Sequence, residues 1–339
     1  MSNLEIDPLD PHDGAAFDAF YDVYLAAERA LGDIGSPWMR EEVRASLQDR
    51  GTRRWLGAYV GRIDGDVVAV GQLSTPLLDN RESAMLAVHV DPRLWRRGLG
   101  TQVSQRLESE ARERGRTLLN TEATWPYAAG PAGAGSPGPE FALARGYALA
   151  IGDVKRRLEL PVGDGVLDDL TAEVVDHHRG YVLRSWVGPV PDDLLVGWAR
   201  LYASLVTEAP TGDLEIEQES ADPAVVRESE ALLAKQGRTK YNTVALDERG
   251  EVVAYTDIAT TVHEPGVAYQ WGTLVRGDAR GHRLGLAVKV ANLRLLQGER
   301  PDVRVLITYN AEVNRHMVGV NDRLGFVPVA RLGEFQKRL

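Results

Sequence analysis

The sequence VHVDPRLWRRGLG at residues 88–100 and the sequence TLVRGDARGHRLG at residues 273–285 are two copies of one pattern. In each copy an apolar run ends in a valine, and a glycine follows ten residues later. The offset between the copies is 185 residues for both landmarks, so the connecting loops have equal length. An internal repeat of this size predicts two similar domains. The corresponding landmarks are Val90 and Val275, then Gly100 and Gly285.

The repeat continues on both sides of these loops. A helical pattern follows each glycine, a short apolar run comes next at 117–123 and 303–311, and a Gly-Tyr or Gly-Phe turn closes each copy. The turns lie 179 residues apart, so the first copy carries six additional residues, which we assign to the Gly- and Pro-rich stretch 128–139. Upstream, each copy has two predicted helices, near 13–31, 37–50, 191–206 and 222–236, and two predicted strands, near 53–62, 66–75, 240–247 and 251–261.

Each half of the chain therefore has the predicted order β-α-α-β-β-β-α-β-α-β. We predict a first domain over 1–160, a linker over 161–180 and a second domain over 181–339. This order predicts the α+β class (mixed α/β), with one largely antiparallel sheet in each domain and helices on both of its faces.

The composition excludes several classes of protein. The chain of 339 residues has a net charge of −10, which disfavours a general nucleic-acid binder because such a protein needs an extended basic surface. It has no cysteine, which excludes disulfides, cysteine-ligated metals and a cysteine nucleophile. The seven histidines have no metal-binding spacing, so we expect no metal site. No signal peptide and no membrane span are predicted, and the cytoplasm is the expected location.

Each Gly-rich loop lies where a predicted strand leads into a predicted helix, and each loop is locally basic. The first N–H groups of a helix lack internal partners and carry partial positive charge, and glycine lets an anion approach the main chain closely. This arrangement suits a pyrophosphate, although a glycine at such a junction can also serve only to turn the chain. The Rossmann and Walker glycine patterns are absent, which disfavours dinucleotide and nucleoside-triphosphate enzymes. The basic residues are Arg93, Arg96 and Arg97 in the first loop and Arg276, Arg280, His282 and Arg283 in the second.

Both loops resemble the acyl-CoA-binding motif Q/R-x-x-G-x-G/A of the GNAT superfamily of N-acetyltransferases, and the Gly-Tyr and Gly-Phe turns resemble its closing turn. The resemblance covers nearly the whole chain as two tandem GNAT domains, a layout similar to mycothiol synthase and related actinobacterial acetyltransferases. It implies acetyl-CoA as cofactor, a V-shaped opening between the fourth and fifth strands of each domain, and a pyrophosphate on each loop. The cofactor-binding residues that it implies are Val90, Arg96, Arg97, Gly98, Leu99, Gly100 and Thr101, and in the second domain Leu274, Val275, Arg280, Gly281, His282, Arg283, Leu284, Gly285 and Leu286.

Each loop departs from this motif once. Trp95 stands at the Q/R position of the first loop, where Arg96 or Arg97 would have to replace the lost polar contact. Arg283 stands at the first glycine position of the second loop, where its side chain would either hold a phosphate or crowd it out.

Asparagines favour the second domain as the catalytic one. Asn310 and Asn314 follow its fifth predicted strand, and the first domain has no such set. In the family an asparagine in this place commonly bonds the pantetheine arm of the cofactor. The alternative is that Asn314 only caps the helix that follows.

The proton-transfer residues depart from the family pattern. Many GNAT enzymes have a tyrosine four residues before the closing turn, which protonates the leaving thiolate. That position holds Asn321 in the second domain and Ala142 in the first. Tyr309 is our alternative donor. The candidates for the base that deprotonates the amine are Asp257 and the pair His263-Glu264, with Gln270 and Thr273 as groups that could position a water; each could also be an ordinary strand or surface residue.

The resemblance implies an acetyl-CoA-dependent N-acetyltransferase in which a small-molecule primary amine attacks the thioester directly. The imperfect motifs leave open a non-catalytic CoA-binding or sensor protein, and the shared layout leaves open a mycothiol-synthase-like activity. The segment 208–222 carries six acidic residues and no basic one, which favours a cationic acceptor unless it is only a solvated loop. We expect a monomer or homodimer, with no nucleic-acid or membrane partner.

Overall fold

A computed structural model describes residues 4–339 and divides the chain into two compact units. The first unit contains Met1–Asp153, Gly212–Glu215 and Ala330–Leu339. The second unit contains Val154–Thr211 and Ile216–Val329. Each unit has a mostly antiparallel sheet with helices packed on it, so the predicted fold class is confirmed.

The first half of the chain follows the predicted element order. The helices and strands agree with the sequence prediction to within a few residues, and α4 begins near the end of the Gly- and Pro-rich stretch. The elements are β1 (Glu5–Pro8), α1 (Gly14–Arg29), α2 (Arg40–Gln48), β2 (Arg54–Ile63), β3 (Asp66–Pro76), β4 (Ser83–Val90), α3 (Leu99–Glu113), β5 (Leu118–Pro126), α4 (Pro137–Ala144) and β6 (Ala148–Glu159).

The second half repeats this order after one additional helix. That helix, α5, occupies the middle of the predicted linker. The elements are α5 (Asp164–Val175), β7 (Val182–Val187), α6 (Asp192–Ala203), α7 (Leu205–Glu208), α8 (Pro223–Lys235), β8 (Arg238–Leu246), β9 (Val252–Thr261), β10 (Val267–Val275), α9 (Leu284–Glu299), β11 (Val305–Ala311), α10 (Arg315–Leu324) and β12 (Val327–Arg338).

The strand order is alike in the two units. In the first unit it is β1-β2-β3-β4-β5-β12. In the second unit it is β7-β8-β9-β10-β11-β6, in which each strand takes the place of its counterpart in the first. The pairs β4–β5 and β10–β11 are parallel, whereas β1–β2, β2–β3, β3–β4, β5–β12, β7–β8, β8–β9 and β9–β10 are antiparallel.

Amphipathic helices cover both faces of the sheet in the first unit. Phe17, Phe20 and Tyr24 lie three to four residues apart in α1, and all three are buried against β2 and β3. On the opposite face, α3 buries Val103 and Leu107 in a second cluster with residues of β3, β4 and β5. The Asp13 carboxylate caps α1 by accepting hydrogen bonds from two main-chain N–H groups of its first turn.

The C-terminal strand belongs to the first unit. Residues 330–338 pair antiparallel with β5, and the Phe335 side chain is fully buried beside Trp125, with ring centroids 6.4 Å apart. The predicted boundaries 1–160, 161–180 and 181–339 therefore differ from the units, because strand pairing assigns the last residues to the first unit. They also differ at 161–180, where α5 packs on α9 as part of the second unit.

We expect Phe335→Ala to destabilise the first unit by roughly 3–5 kcal/mol, since it removes a fully buried aromatic ring and leaves a cavity. Urea unfolding followed by tryptophan fluorescence measures the change. Val327→Ala is the matched control in the same strand, because Val327 is 56% exposed and its truncation should shift stability by no more than about 0.5 kcal/mol. Equal unfolding midpoints for the two variants would contradict this account of the C-terminal strand.

Candidate functional site

In each unit the parallel strand pair separates part of the way along its length. The β4–β5 pairing runs from Ser83 and Leu118 to Leu86 and Thr121, although both strands continue beyond these residues. The β10–β11 pairing ends in the same way at Gln270 and Thr308. The main-chain N–H and C=O groups beyond the last pair face an opening and lack sheet partners on that side. An extended ligand with amide groups can therefore bind there as an additional strand.

The Gly-rich loops connect this opening to a helix N-terminus, as the sequence predicted. In the first unit Gly98 precedes α3 with φ of 82°, and in the second Arg283 precedes α9 with φ of 54°. The αL conformation at this position costs glycine little but costs an arginine roughly 1–2 kcal/mol. The loop of the second unit therefore keeps the backbone path of the first without its glycine.

The residue at the Q/R position makes the same contact in both loops. The Trp95 indole Nε1–H donates to the carbonyl oxygen of Val90 at 2.8 Å. The Arg280 Nε donates to the carbonyl oxygen of Val275 at 3.4 Å. Trp95 thus replaces the arginine in its role of fixing the loop against the end of the strand, which motif comparison alone could not show.

The arginines of the two loops differ in their partners. Arg96 and Arg97 of the first loop are exposed, and neither has an ion-pair partner among residues 4–339. In the second loop Arg280 forms an ion pair with Glu208 at 2.7 Å, and Arg283 pairs with Glu173. The first loop therefore offers two free cations to an anion, whereas the second offers cations that are already neutralised.

Glu173 of α5 is a residue that the sequence gave no reason to select. Its carboxylate contacts both Arg283, which precedes α9, and Arg323 of α10. A carboxylate between two arginines near a helix N-terminus has the environment that a phosphate would require. Glu173 and an anionic ligand of the second loop would therefore compete for the same cations.

Asp257 is fully buried on β9, and its two oxygens have structural partners. One oxygen accepts a hydrogen bond of 2.7 Å from the Gly272 N–H, and the other forms an ion pair with Lys240. Gln270 donates to the Asp257 carbonyl oxygen at 2.7 Å. These contacts hold the irregularity of β10 between Gln270 and Thr273. The role of Asp257 as base stays a prediction, and its carboxylate is engaged by the Lys240 ion pair and the Gly272 N–H.

Aromatic side chains surround the Lys240 ammonium. It lies 5.2 Å from the ring centroid of Trp198, 5.6 Å from that of Tyr202 and 5.8 Å from that of Trp271. Burial alone would lower the pKa of Lys240, but the neighbouring Asp257 charge raises it above its usual range. Lys240 thus stays protonated and fills this aromatic site.

The predicted asparagines of the second unit form a hydrogen-bonded chain. The Asn321 amide donates to Asn310 Oδ1 at 3.0 Å, and Lys289 of α9 donates to Asn321 Oδ1 at 2.8 Å. Asn314 is separate from this chain and caps α10, where its Oδ1 accepts from the Met317 N–H at 3.1 Å. The capping alternative for Asn314 is therefore realised, and its contact with a cofactor stays a prediction. Tyr309 lies half-buried on β11, and its role as proton donor also stays a prediction.

The sequence analysis did not select Lys289, although the sequence contains a pattern that marks this residue. It stands alone as a charged residue in the otherwise apolar run LGLAVKVA at 284–291. Burial lowers the pKa of Lys289 to about 7.

Three carboxyl groups of the first unit were also missed. Glu122 follows Thr121, the last residue of β5 that pairs with β4, and it lies directly opposite Glu334 of β12. Asp153 lies on β6. No hydrogen-bond or ion-pair partner of these side chains is found in the described part of the chain. Desolvation by surrounding protein atoms, with the charges of Glu334 and Asp153, raises the pKa of Glu122 to about 7, although by accessible surface Glu122 is an exposed residue. Burial and Glu334 likewise raise the pKa of Asp153 to about 7.

The acidic segment 208–222 is divided between the units. Residues 212–215 belong to the first unit, where Glu215 forms an ion pair with Arg338 and its main chain bonds Gln336. Glu219 belongs to the second unit, where its charge contributes to the raised pKa of Tyr255 after the larger effect of burial. The acidic residues of the segment are therefore shared between the two units.

Comparisons with known proteins agree with this geometry. Residues 17–127 match the model of the acetyltransferase (GNAT) family. The chain resembles the structure of a tandem GNAT protein from the clavulanic acid biosynthesis pathway, with 29% identity, a TM-score of 0.79 and coverage of 99% of this chain and 98% of that one. Comparison with curated proteins gives no match.

Two further structures share the fold alone. A GCN5-related N-acetyltransferase from Sphaerobacter thermophilus has 18% identity and a TM-score of 0.62, and the match covers 99% of this chain and 95% of that one. N-myristoyltransferase from Saccharomyces cerevisiae with bound myristoyl-CoA has 13% identity and a TM-score of 0.59, with 100% and 80% coverage.

The repeated strand, loop and helix, with the parted parallel strands, define a protein of two acyl-CoA N-acyltransferase folds. Residues 17–127 match the GNAT family model, and the whole chain is similar to a tandem GNAT protein. This similarity supports N-acyltransferase activity with an acyl-CoA donor. No helix within residues 4–339 is both long and apolar enough to cross a membrane.

We expect Glu173→Gln to tighten CoA binding at the second loop about two- to fivefold, because it frees Arg283 and Arg323 from an exposed ion pair of modest strength. Calorimetric titration of CoA measures the change, in protein whose first loop carries Gly100→Glu. Asp176→Asn is the control, since it removes the same charge from the end of α5, where Asp176 pairs with Arg179. Equal affinities for the two variants would show that Glu173 does not compete with the ligand.

We expect Glu122→Gln to change how stability depends on pH. The pKa of about 7 lies above the usual 4.5 of a glutamate, so the folded protein keeps a proton that the unfolded chain loses. The contribution of Glu122 is therefore greatest at low pH and declines as the pH rises from about 4.5 to 7. Glu122→Gln should gain stability relative to the wild type across this window and no further above it. Urea unfolding at several pH values tests this, with exposed Glu140→Gln as control; parallel profiles for both variants would refute it.

Proposed function

We propose that this protein is an acetyl-CoA-dependent N-acetyltransferase that acetylates a small-molecule primary amine. The observation that carries the proposal is the parting of β10 from β11 beside a basic loop and the N-terminus of α9, an arrangement that β4, β5 and α3 repeat. We propose the cytoplasm as its location, where acetyl-CoA is available to it.

The chemistry needs little from the protein beyond position and polarity. The amine attacks the thioester carbonyl directly, and main-chain N–H groups near Leu274 and Val275 would polarise that carbonyl. The helix N-terminus and loop arginines would hold the phosphates. Binding of the donor and the acceptor side by side makes their reaction effectively unimolecular, which lowers its barrier.

We propose that the two units differ in their roles in acyl-CoA binding and acyl transfer. The first loop has Gly98 and the unpaired Arg96 and Arg97, which favours tight acyl-CoA binding. The second unit has a buried hydrogen-bonded chain of Asn310, Asn321 and Lys289 on and beside β11, which the first unit replaces with small residues. We therefore keep the second unit, with its own acyl-CoA site, as the proposed site of transfer and assign to the first unit a tighter acyl-CoA site without transfer to the amine.

We propose a cationic acceptor for the second unit. Glu219 lies near the buried Tyr255, whose hydroxyl has no hydrogen-bond partner within residues 4–339. A carboxylate beside an opening raises the local concentration of a cation. Glu215 is excluded from this role by its ion pair with Arg338 in the first unit. A preference for anionic amines over polyamines and aminoglycosides would refute the proposed charge of the acceptor.

Matched substitutions in the two loops test the cofactor sites. We expect two CoA sites in the wild type by calorimetry, the tighter one lost in Gly100→Glu and the weaker one lost in Gly285→Glu. An added carboxylate at a phosphate site should weaken binding at least about tenfold, or about 1.4 kcal/mol. Gly298→Glu places the same charge at the opposite end of α9, in open space, and should keep both sites. Equal affinity in all four proteins would overturn the assignment of the loops.

Release of free thiol from acetyl-CoA with a panel of amines tests the activity itself. We expect amine-dependent release that Gly285→Glu abolishes. Amine-dependent release that survives Gly285→Glu but is lost in Gly100→Glu or Glu122→Gln would move the transfer step to the first unit. CoA binding without release for any amine would instead support the non-catalytic sensor, which the ion-paired Asp257 and the Asn321 at the usual tyrosine position also favour. A mycothiol-synthase-like acceptor would appear in the same panel as a preference for a cysteinyl amine.

A further inference from the structure

His89 lies where β4 borders the opening of the first unit. The β4–β5 pairing ends at Leu86, and His89 follows three residues later on the same strand. Leu86, Val88 and Val90 pack with α3 on one face of the sheet, so the alternate residue His89 points to the opposite face, which α1 covers. The His89 side chain keeps 17% of its surface exposed. It therefore stands beside the opening without being enclosed by protein.

Two side chains of α1 fix the imidazole of His89. Glu28 Oε1 lies 3.4 Å from His89 Nε2, and the Tyr24 ring packs edge-on against the imidazole with centroids 4.9 Å apart. The Tyr24 hydroxyl is itself held, because it accepts a hydrogen bond of 2.8 Å from the Trp38 N–H. A carboxylate at Nε2 favours the tautomer with its proton on that nitrogen, which leaves the lone pair on Nδ1. No residue between 4 and 339 hydrogen-bonds to Nδ1, so this nitrogen is available as a base.

The shared fold does not require a histidine at this position. The corresponding residue of the second unit, 185 positions later, is Leu274, which is buried in an apolar cluster with Trp198 and Tyr255. The pair of His89 and Glu28 therefore distinguishes the first opening from the second.

The position of His89 suits a reaction at the opening. A ligand bound there as an additional strand would lie about 4.8 Å from β4. Its phosphates would lie at the N-terminus of α3, which packs on the face opposite His89. A reactive carbonyl beside β4 would then have the imidazole on the face away from the phosphates, at a separation that one small nucleophile can bridge.

A histidine base matters most for an oxygen nucleophile. A neutral amine attacks a thioester without first losing a proton, whereas water or an alcohol must give up its proton as the new bond forms. An imidazole oriented by a carboxylate is the arrangement that activates hydroxyl groups in unrelated enzymes. We propose that His89 is a catalytic base through which the first unit transfers the acyl group of acyl-CoA to an oxygen nucleophile, with Glu28 as a positioning residue. The proposal goes beyond the proposed function and shares with it only the acyl-CoA site of the first loop.

The step needs no further reactant. The nucleophile oxygen forms a bond to the thioester carbonyl carbon while His89 Nδ1 takes its proton. The carbon–sulfur bond then breaks, and its electron pair stays on sulfur. The imidazolium, whose charge Glu28 balances, returns the proton to that sulfur. The products are CoA with a free thiol and an acetyl ester or, where water attacks, acetic acid.

Release of free thiol without any amine is the first test. It uses Gly285→Glu protein, in which only the first loop holds acetyl-CoA, and subtracts the release seen without protein. We expect release that the additional change Gly100→Glu abolishes and that His89→Gln lowers by about 10²–10⁴-fold, as for loss of a general base. His12→Gln is the matched control, since His12 is an exposed histidine of the same unit and its change should leave the rate as it was.

Calorimetry on the same proteins separates this inference from the assignment of the cofactor site. We expect His89→Gln to keep the affinity of the first loop for CoA. Equal release in the parent and in His89→Gln, or no release from a parent that binds CoA at the first loop, would overturn the role of His89 and leave the proposed function intact. No binding at the first loop would overturn the assignment of that loop as well.

The products identify the oxygen nucleophile. Choline and ethylene glycol serve as alcohol probes, because neither carries an amine that can be acetylated. An acetyl ester detected by mass spectrometry would identify an alcohol as the nucleophile, and acetate alone would identify water. Absence of both products above the protein-free level would overturn the proposal.

Chemical rescue separates proton transfer from packing against Tyr24. We expect added imidazole to restore release in His89→Ala, because it can bind in the space that the side chain leaves. Glu28→Gln keeps an acceptor for the Ser36 N–H, which bonds Glu28 at 3.4 Å, and should lower release by about tenfold or more with no response to imidazole. Thermal unfolding checks the fold of both variants. Release that is lost in folded His89→Ala and stays lost with imidazole would assign His89 a packing role only.

Discussion

The separation of a parallel strand pair is the constraint on which the rest of each unit depends. Where β10 leaves β11, hydrogen-bonding groups of the main chain lose their sheet partners in the middle of the sheet, a position where they cannot simply be left unsatisfied. The second unit holds the distorted strand with side chains: Asp257 accepts from the Gly272 N–H, and Gln270 bonds the neighbouring main chain. These buried side chains satisfy part of the main chain where the strands separate, which lowers the free-energy cost of the opening. A ligand bound as an additional strand can satisfy the main-chain N–H and C=O groups that remain unpaired.

This constraint explains why buried polar groups concentrate around β9, β10 and β11. One Asp257 oxygen accepts from the main chain, and the other is buried and needs a partner, which the Lys240 ammonium supplies. Lys240 in turn is held by surrounding aromatic rings. The Asp257 side chain that the sequence indicated is thus held by structural contacts, whereas Lys289 has no carboxylate partner within residues 4–339.

The two units show how one plan can be altered in complementary ways. The first loop keeps Gly98 and free arginines but has Trp95 at the motif position, where its indole makes the contact that Arg280 makes in the second loop. The second loop keeps Arg280, and its αL arginine is Arg283, which pairs with Glu173, whereas the αL arginine of the first loop is Arg96. The polar chain beside the opening exists only in the second unit. These differences are physical reasons to expect unequal affinity and separate roles.

The sequence by itself determined the repeat, the fold class, the element order and the position of both Gly-rich loops, because apolar periodicity, turn residues and equal spacing are local properties. It also indicated Asn310 and Asn321, since their offsets from strand and turn are visible in the chain. The tertiary structure alone decided that residues 330–338 complete the first unit, since antiparallel pairing with β5 joins residues more than two hundred positions apart. It likewise decided which charges are paired: Asp257 with Lys240, Arg283 with Glu173, and Lys289 with no carboxylate. Burial and partners set the pKa and availability of a side chain, and both depend on contacts between segments whose distance in sequence carries no information about their distance in space.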